Sequence, residues 1–569
     1  MTRKVWKFRN ENIKPDAVRR AAEEKNVPRI IANVLLNRGI EISGFDEFMS
    51  KSKQGIKNPM TMLDMDKAVE RIVSALDKKE KIAVYGDYDV DGITSTALLY
   101  EFLKSRGADV IYYIPDRKDE GYGINIMAVN KLIKQGMKLL ITVDCGITAI
   151  GEVEFAKLQG MDVIITDHHT CKERIPTAAV AVVNPKRPED EYGFDGLAGV
   201  GVAFKLVLAL AMKLGMKTGQ VFDRYADIAA IGTIADVVPL IDENRIIVDK
   251  GLKLLQNPQR PGVRELLEVA GMGGKKVTSS TVAFALAPRM NAAGRLGTAV
   301  TAVELLLTRD EARAREIAAE LDRENRERQE TEHEINREAL DMIAADPNFS
   351  KKKVIVLAKE GWHNGVIGIV ASRIMEQFYK PTILISLTDG VGKGSGRSIS
   401  GFNLFDALND SDELLTTFGG HAVAAGLGIN EANLEKFSAR INQYADKVMK
   451  DRDMIPVVKI DCMLGGSNLS VATANIISKL EPYGMGNERP VFAVKNAVVT
   501  AFAAVGAENK HLRMQIEKDG VRVNCIGFGF GEYARMLSVG DTVHLAFKLD
   551  INSFQGKDTV QLVLNDIKN

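Results

Sequence analysis

From Lys81 to Thr166 the chain alternates short apolar runs with helix-forming stretches, and this alternation restricts the fold more than any other feature. Ile82–Tyr85, Val110–Ile114, Leu139–Val143 and Val163–Thr166 read as strands, with Ile93–Lys104, Asn125–Gln135 and Val153–Gln159 as the helices between them. Strands separated by single helices imply right-handed crossovers, so the expected core is a parallel sheet covered on both faces. Ligands of such sheets sit beyond the carboxyl ends of the strands. At those ends the sequence places Tyr85-Gly-Asp-Tyr-Asp-Val-Asp-Gly92, the lone Asp144 after Leu-Leu-Ile-Thr-Val, and Ile164-Ile-Thr-Asp-His-His169.

Carboxylates and imidazoles gathered at one sheet edge suit a metal-dependent hydrolase. Asp87, Asp89 and Asp91 alternate, and in an extended loop alternate side chains point the same way, so two or three carboxylates converge on one cation. Gly92 then lets the backbone turn into the helix. A solvated acidic turn is the competing reading of this run alone. An EF-hand is excluded, because no glutamate stands at the twelfth position of a loop begun at Asp87. Crowding these acids with Asp144 and Asp167-His168-His169 produces strong repulsion, which a pair of divalent ions compensates. A mixed carboxylate–imidazole set suits Mn²⁺, with Mg²⁺ as the alternative and zinc disfavoured without thiolates. Two such ions, about 3.5–4 Å apart, activate water and clamp a phosphoryl oxygen.

Composition narrows the setting. With 569 residues, 46% hydrophobic and 26% charged, the chain has material for several globular domains. Its formal net charge is +0, so a nucleic-acid partner has to be held by local basic patches. Cys145, Cys171, Cys462 and Cys525 show no CxxC spacing, which argues against zinc sites and disulfides and for a reducing cytoplasm. There is no signal-like apolar segment and no charge-free run long enough for a bilayer, so neither targeting nor membrane insertion is expected.

The remaining organisation follows from patterning. Residues 1–80 read as a mostly helical N-terminal cap, with amphipathic pieces at Val27–Leu36 and Met65–Leu76. The α/β unit spans 81–307 and closes with buried helices after Gly196 and at Asp227–Ala235, the latter ending at Asp236. Residues 308–345 are densely charged around the stripe Ala314, Ile317, Leu321 and predict a long connecting helix. A second, smaller α/β unit is expected over 346–450. From 456 to 569, five strand-like runs separated by Gly, Asp and Asn turns predict a small β-barrel of the oligonucleotide-binding type.

The motifs Gly86-Asp-Tyr-Asp-Val-Asp-Gly92, Val143-Asp144, Asp167-His168-His169 and Gly232-Thr-Ile-Ala-Asp236 together resemble the DHH phosphoesterase superfamily. Further matches are similar to its single-strand-specific exonuclease family: Ile114-Pro-Asp-Arg117, Glu120-Gly-Tyr-Gly123, Ala287-Pro-Arg-Met-Asn-Ala-Ala-Gly-Arg295, Gly361-Trp-His-Asn-Gly365, Gly394-Ser-Gly-Arg-Ser398, Gly419-Gly-His421 and Glu481-Pro-Tyr-Gly-Met-Gly-Asn487. They run in order over residues 30 to 565.

This resemblance implies a DHH catalytic domain, a DHHA1 substrate-binding domain and an OB-fold. Asp89, Asp91, Asp144, His168, His169 and Asp236 fall where the family binds two metal ions, with Asp87 beside them as a ligand or supporting acid; Asp227 is the alternative to Asp236. In the DHHA1 unit, the loop Gly394–Ser398 offers backbone N–H groups, a hydroxyl and a guanidinium to a terminal phosphate. Ser395 and Arg397 are the expected grips on a 5′ end, supported by His421. Arg295 joins them or forms a structural salt bridge, and Arg117 reaches a backbone phosphate. The implied activity is 5′→3′ hydrolysis of single-stranded DNA in recombination and repair, by a monomer whose two domains form a groove too narrow for duplex. A helicase and a single-strand-binding protein are the expected partners. Competing readings are a phosphodiesterase for short oligonucleotides or cyclic dinucleotides, and a non-catalytic replication scaffold.

Overall fold

The computed structural model describes residues 4–10, 12–116, 120–121 and 123–568. The chain divides into two compact units. One comprises Lys14–Asn325 and Asn475–Arg489; the other comprises Met1–Ile13, Arg326–Ala474 and Pro490–Asn569.

In the first unit the strands Val110–Tyr113, Ile82–Gly86, Leu139–Val143, Asp162–Thr166 and Ala181–Val183 lie side by side in that order, all parallel. Successive side chains of a strand point to opposite faces, and both faces here are apolar. Val84, Ile141 and Ile164 pack against Ile93, Ala97 and Leu98 of the helix Val90–Ser105. Tyr85, Leu140 and Ile165 pack on the other side against Val129, Leu132, Val153 and Ala156. This two-faced burial is why the central strands read as continuous apolar runs rather than alternating ones. Of this sheet's strands, the first in chain order lies between the second and the third, so the strand order reverses between Ile82–Gly86 and Leu139–Val143. A crevice opens at that reversal, beyond the strands' carboxyl ends.

The other unit holds two sheets of different character. Leu415–Gly420, Ala424–Asn430, Val391–Arg397, Thr382–Thr388 and Ile355–Glu360 form a mixed sheet in which only the last pair is parallel. Phe492–Val505, His511–Lys518, Val521–Gly527, Lys557–Lys568 and Thr542–Phe554 close into a five-stranded barrel through the pairing of the first with the last. The expected parallel sheet, second α/β unit and barrel are therefore all present. One helix, Glu311–Ala345, runs through the division between Asn325 and Arg326.

The mostly helical reading of the N-terminal residues needs one correction. Val5–Phe8 is a strand, paired in parallel with Val457–Ile460. Trp6 fixes it by donating its indole N–H to Asp566 at 2.6 Å. Four residues are too few to show a period, and their partner is remote in sequence. Among the described residues no helix is long and apolar enough to cross a membrane.

Candidate metal centre and phosphate site

The strand Ile82–Gly86 runs directly into Asp87, and only Asp87–Asp89 is loop. Asp89 is already the N-cap of Val90–Ser105, its carboxylate accepting from Gly92 N at 3.0 Å. Asp91 therefore sits in the first helical turn, not in the extended loop that its spacing suggested. Gly92 serves close packing rather than a turn: a Cβ there would lie 2.4 Å from the Asp87 carbonyl oxygen.

Asp91 is fixed by a second helix. Gly199 N and Val200 N, at the start of Gly199–Lys213, donate to its two carboxylate oxygens at 2.6 and 2.8 Å. The positive end of that helix favours a negative charge there. Asp144 follows Leu139–Val143 in a left-handed conformation, φ 60°, at a cost of about 1–2 kcal/mol that Asp tolerates better than most residues. Its side chain presses on Gly199, where a Cβ would come within 2.4 Å of Asp144 Oδ1.

Three overlapping groups result. Asp87, Asp89 and Asp144 form one; Asp91, His168 and Asp236 a second; Asp144, His168 and His169 a third. Within each group one ligand atom per residue lies within 4.8 Å of the others. Asp144 and His168 are shared between groups. His168 Nε2 lies 3.2 Å from Asp144 Oδ1, 3.6 Å from Asp236 Oδ2 and 3.8 Å from Asp91 Oδ2. All seven acids and histidines of the expected centre thus meet at the strand-order reversal. Asp227, the alternative to Asp236, accepts from Arg260 Nε at 3.0 Å and belongs to a buried ion pair instead.

The electrostatics call for a cation. Burial and the neighbouring acids push Asp144 and Asp91 well above the ordinary carboxylate range and Asp236 up to about 7. Burial pushes the His168 imidazole down to about 3, so it is a neutral donor of a lone pair. Asp144 Oδ1 and His168 Nε2 are buried without a hydrogen bond. Among the described residues no lysine or arginine pairs with Asp91, Asp144 or Asp236. Clustered acceptors in which Asp144 Oδ1 and His168 Nε2 have no proton donor fit divalent ions, and the oxygen-rich, thiolate-free set suits Mn²⁺ or Mg²⁺. Cys145, next to Asp144, points its thiol at the Tyr85 carbonyl instead.

The remaining acid of the motif supports the two histidines. Asp167 is 1% exposed, and its Oδ1 lies 2.7 Å from His169 Nδ1 while accepting from the backbone N–H groups of His168 and His169. Its Oδ2 accepts from Ile147 N at 2.9 Å. Although burial opposes the charge, these bonds hold Asp167 below the usual range and raise His169. A protonated Nδ1 leaves His169 Nε2 as the ring nitrogen available for a ligand role. The only sequence signal was its place beside the two histidines.

The expected phosphate loop is a strand. Gly394–Arg397 belongs to Val391–Arg397, paired on both sides with Thr382–Thr388 and Ala424–Asn430, so its backbone N–H groups serve the ladder. Period-two geometry still puts Ser395 and Arg397 on one face, with Arg397 Nη1 3.1 Å from Ser395 Oγ. Gly394 and Gly396 face the other way, where a Cβ would meet Leu427 at 2.9 Å and Leu404 at 2.7 Å. Gly368, in the first turn of the helix Ile367–Phe378, comes so close that a Cβ would lie 2.8 Å from Ser395 Oγ and 3.1 Å from Arg397 Nη2. Burial lowers the Arg397 pKa. A guanidinium, a hydroxyl and a helix N-terminus thus share one spot, which suits an anion. His421 lies in the turn between the strands Leu415–Gly420 and Ala424–Asn430, at the same end of the sheet as Arg397.

Arg295 lies on Ala287–Leu296, a helix packed on the acidic loop: Asn291 Oδ1 accepts from Val90 N at 3.2 Å, and a Cβ on Gly294 would lie 2.5 Å from the Tyr88 carbonyl. Arg117 lies outside the described residues.

A carboxylate–imidazole cluster at the reversal of a parallel sheet, with a Ser–Arg pair beside a helix N-terminus in the mixed sheet's domain, fits a metal-dependent phosphoesterase of the DHH class. The family models agree: the DHH family N-terminal domain matches residues 81–233, the DHHA1 domain 351–447 and the RecJ OB domain 460–566. The chain is 39% identical over 97% of its length to the single-stranded-DNA-specific exonuclease RecJ of Bacillus subtilis, covering 69% of that protein. Its fold matches RecJ of Thermus thermophilus solved in complex with Mn²⁺, at TM-score 0.84 and 32% identity over 99% of this chain and 79% of that one. The same protein solved in complex with Mg²⁺ matches at TM-score 0.78 and 31% identity, over 99% and 78%. The chain belongs to the RecJ family.

Proposed function

We propose that this chain is a single-stranded-DNA-specific exonuclease that hydrolyses phosphodiester bonds from the 5′ end and serves recombination and repair. The observation that carries the reading is the sharing of Asp144 and His168 among three ligand groups in one buried crevice. Asp89, Asp91, Asp144, His168, His169 and Asp236 hold two ions, Mn²⁺ or Mg²⁺, with Asp87 as a further ligand or supporting acid. Bound there, such ions polarise a phosphodiester and a water and offset charge on the leaving oxygen.

The protein's own contribution is placement. Asp167 orients His169, while Gly199 and Val200 aim Asp91. Ser395 and Arg397, supported by His421 and joined by Arg295, grip a 5′-terminal phosphate and thereby set polarity, with Arg117 holding backbone phosphate. Domain roles follow the division into a cap over 1–80, a catalytic domain over 81–307, a connecting helix over 308–345, a substrate-binding domain over 346–450 and a strand-binding barrel over 456–569. The protein works as a cytoplasmic monomer, with a helicase and a single-strand-binding protein as partners.

Digestion of 3′-labelled single-stranded DNA with Mn²⁺, beside its blunt duplex and an EDTA control, tests this. A ladder that shortens progressively, absent for duplex and in EDTA, is expected. Immediate release of labelled mononucleotide overturns the polarity, and equal digestion of duplex overturns the strand specificity.

A further inference from the structure

Glu481-Pro-Tyr-Gly-Met-Gly-Asn487 lies against the loop that leaves Asp236. Asp236 caps the C-terminus of Thr218–Ala235. The next residue, Val237, is β-branched, 62% exposed and held at φ 60°. Strain of that kind persists only where surrounding structure enforces it. Two anchors do so here. Asn244, fully buried, donates to the Pro239 carbonyl at 3.0 Å. Leu240 N donates to the Met485 carbonyl at 2.7 Å.

Packing reinforces the second anchor. A Cβ on Gly484 would lie 2.6 Å from the Leu240 side chain, and one on Gly486 3.1 Å from Pro239. The seven-residue segment is itself rigid, because Asn487 is fully buried and uses both ends of its amide. Its Nδ2 donates to the carbonyls of Leu480 and Pro482, each at 2.8 Å, and its Oδ1 accepts from Arg38 at 3.0 Å. Arg245 donates to the Leu480 carbonyl from below at 2.9 Å. The stretch Asn475–Arg489 belongs to the catalytic unit, although the chain on either side of it belongs to the other.

We propose that Glu481–Asn487 is a latch that positions Asp236 for metal binding, with Asn487 and Gly484 as positioning residues. This rests on the assignment of Asp236 as a ligand. The latch fixes Leu240, Leu240 and Pro239 fix the strained turn at Val237, and the turn fixes the carboxylate one residue earlier.

The test is equilibrium Mn²⁺ binding, read by electron paramagnetic resonance of free Mn²⁺, on the full chain and its variants. Partners that orient a ligand are worth about 10- to 100-fold in metal affinity. Gly484→Val, which drives into Leu240, and Asn487→Ala, which frees the latch, are expected to weaken Mn²⁺ binding by about that factor. Lys276→Ala, which removes only an exposed pair with Glu481, is expected to bind as wild type. Gly484→Ala is the milder variant if the others do not fold, and unfolding curves in EDTA separate lost affinity from lost stability. Wild-type Mn²⁺ affinity in a folded latch variant overturns the proposal. Wild-type affinity in Asp236→Asn overturns instead the assignment on which it rests.

Discussion

Four hydrogen bonds converge on Asp167, and none of them reaches a substrate. Their combined effect is to fix which nitrogen of His169 carries the proton, and that choice decides whether the imidazole can act as a ligand. Asp167→Asn keeps the volume and loses the charge that supports a protonated Nδ1. Mn²⁺ affinity is expected to fall about 10- to 100-fold, measured by the same titration, with little change in the melting curve in EDTA. Gly92 makes a different demand, since its missing side chain is the space occupied by the Asp87 backbone. Gly92→Ala is expected to cost about 1–3 kcal/mol or more, read from the urea midpoint, because the backbone rather than a flexible side chain must move. Most of the clustered acids and histidines were legible in sequence, since each carries its chemistry in its side chain and Asp87, Asp144 and His168 follow strand ends, whereas Asp236 ends a helix and was marked only by the motif Gly232-Thr-Ile-Ala-Asp236. The supports were not. The role of Gly199 depends on Asp144, and that of Asn291 on Val90, through contacts between residues far apart in the chain.

At the scale of elements, the central sheet could be read because buried parallel strands and their crossover helices announce themselves locally. Val5–Phe8 could not, because a short strand is defined by a partner at the other end of the sequence. Gly394–Ser398 misled for the opposite reason. Glycines that looked like loop formers are there because the strand packs against Leu427 and Leu404. That correction yields a prediction: Gly368→Val pushes the helix Ile367–Phe378 off Ser395 and Arg397. The wild-type protein is expected to degrade a 5′-phosphorylated oligonucleotide faster than its 5′-hydroxyl counterpart and Gly368→Val to lose that difference; an unchanged ratio would argue against an anion site on that face. The helices behind the sheet hide a further element. Lys205 is fully buried against Glu243 at 2.8 Å, with Tyr192 also donating to that carboxylate. Lys205→Met leaves Glu243 uncompensated and is expected to cost about 3–5 kcal/mol by urea denaturation, part of which Glu243→Gln should restore in the double variant.

For the whole molecule, the uncompensated acids at the crevice are a standing cost of the folded state that bound cations remove. Mn²⁺ is therefore expected to raise the melting temperature, because a ligand that binds only the folded chain at about 100 times its Kd adds about 2.7 kcal/mol. The increment should vanish in Asp144→Ala, whose side chain belongs to two of the three ligand groups. Composition gave no hint of this, since a formal net charge of +0 conceals one strongly acidic crevice. Anomalous diffraction from crystals soaked in Mn²⁺ locates the ions themselves. Two manganese peaks among Asp87, Asp89, Asp91, Asp144, His168, His169 and Asp236 are expected, and neither should survive in Asp144→Ala. Peaks elsewhere, or none in the crevice, would mean that these residues do not form a two-ion centre.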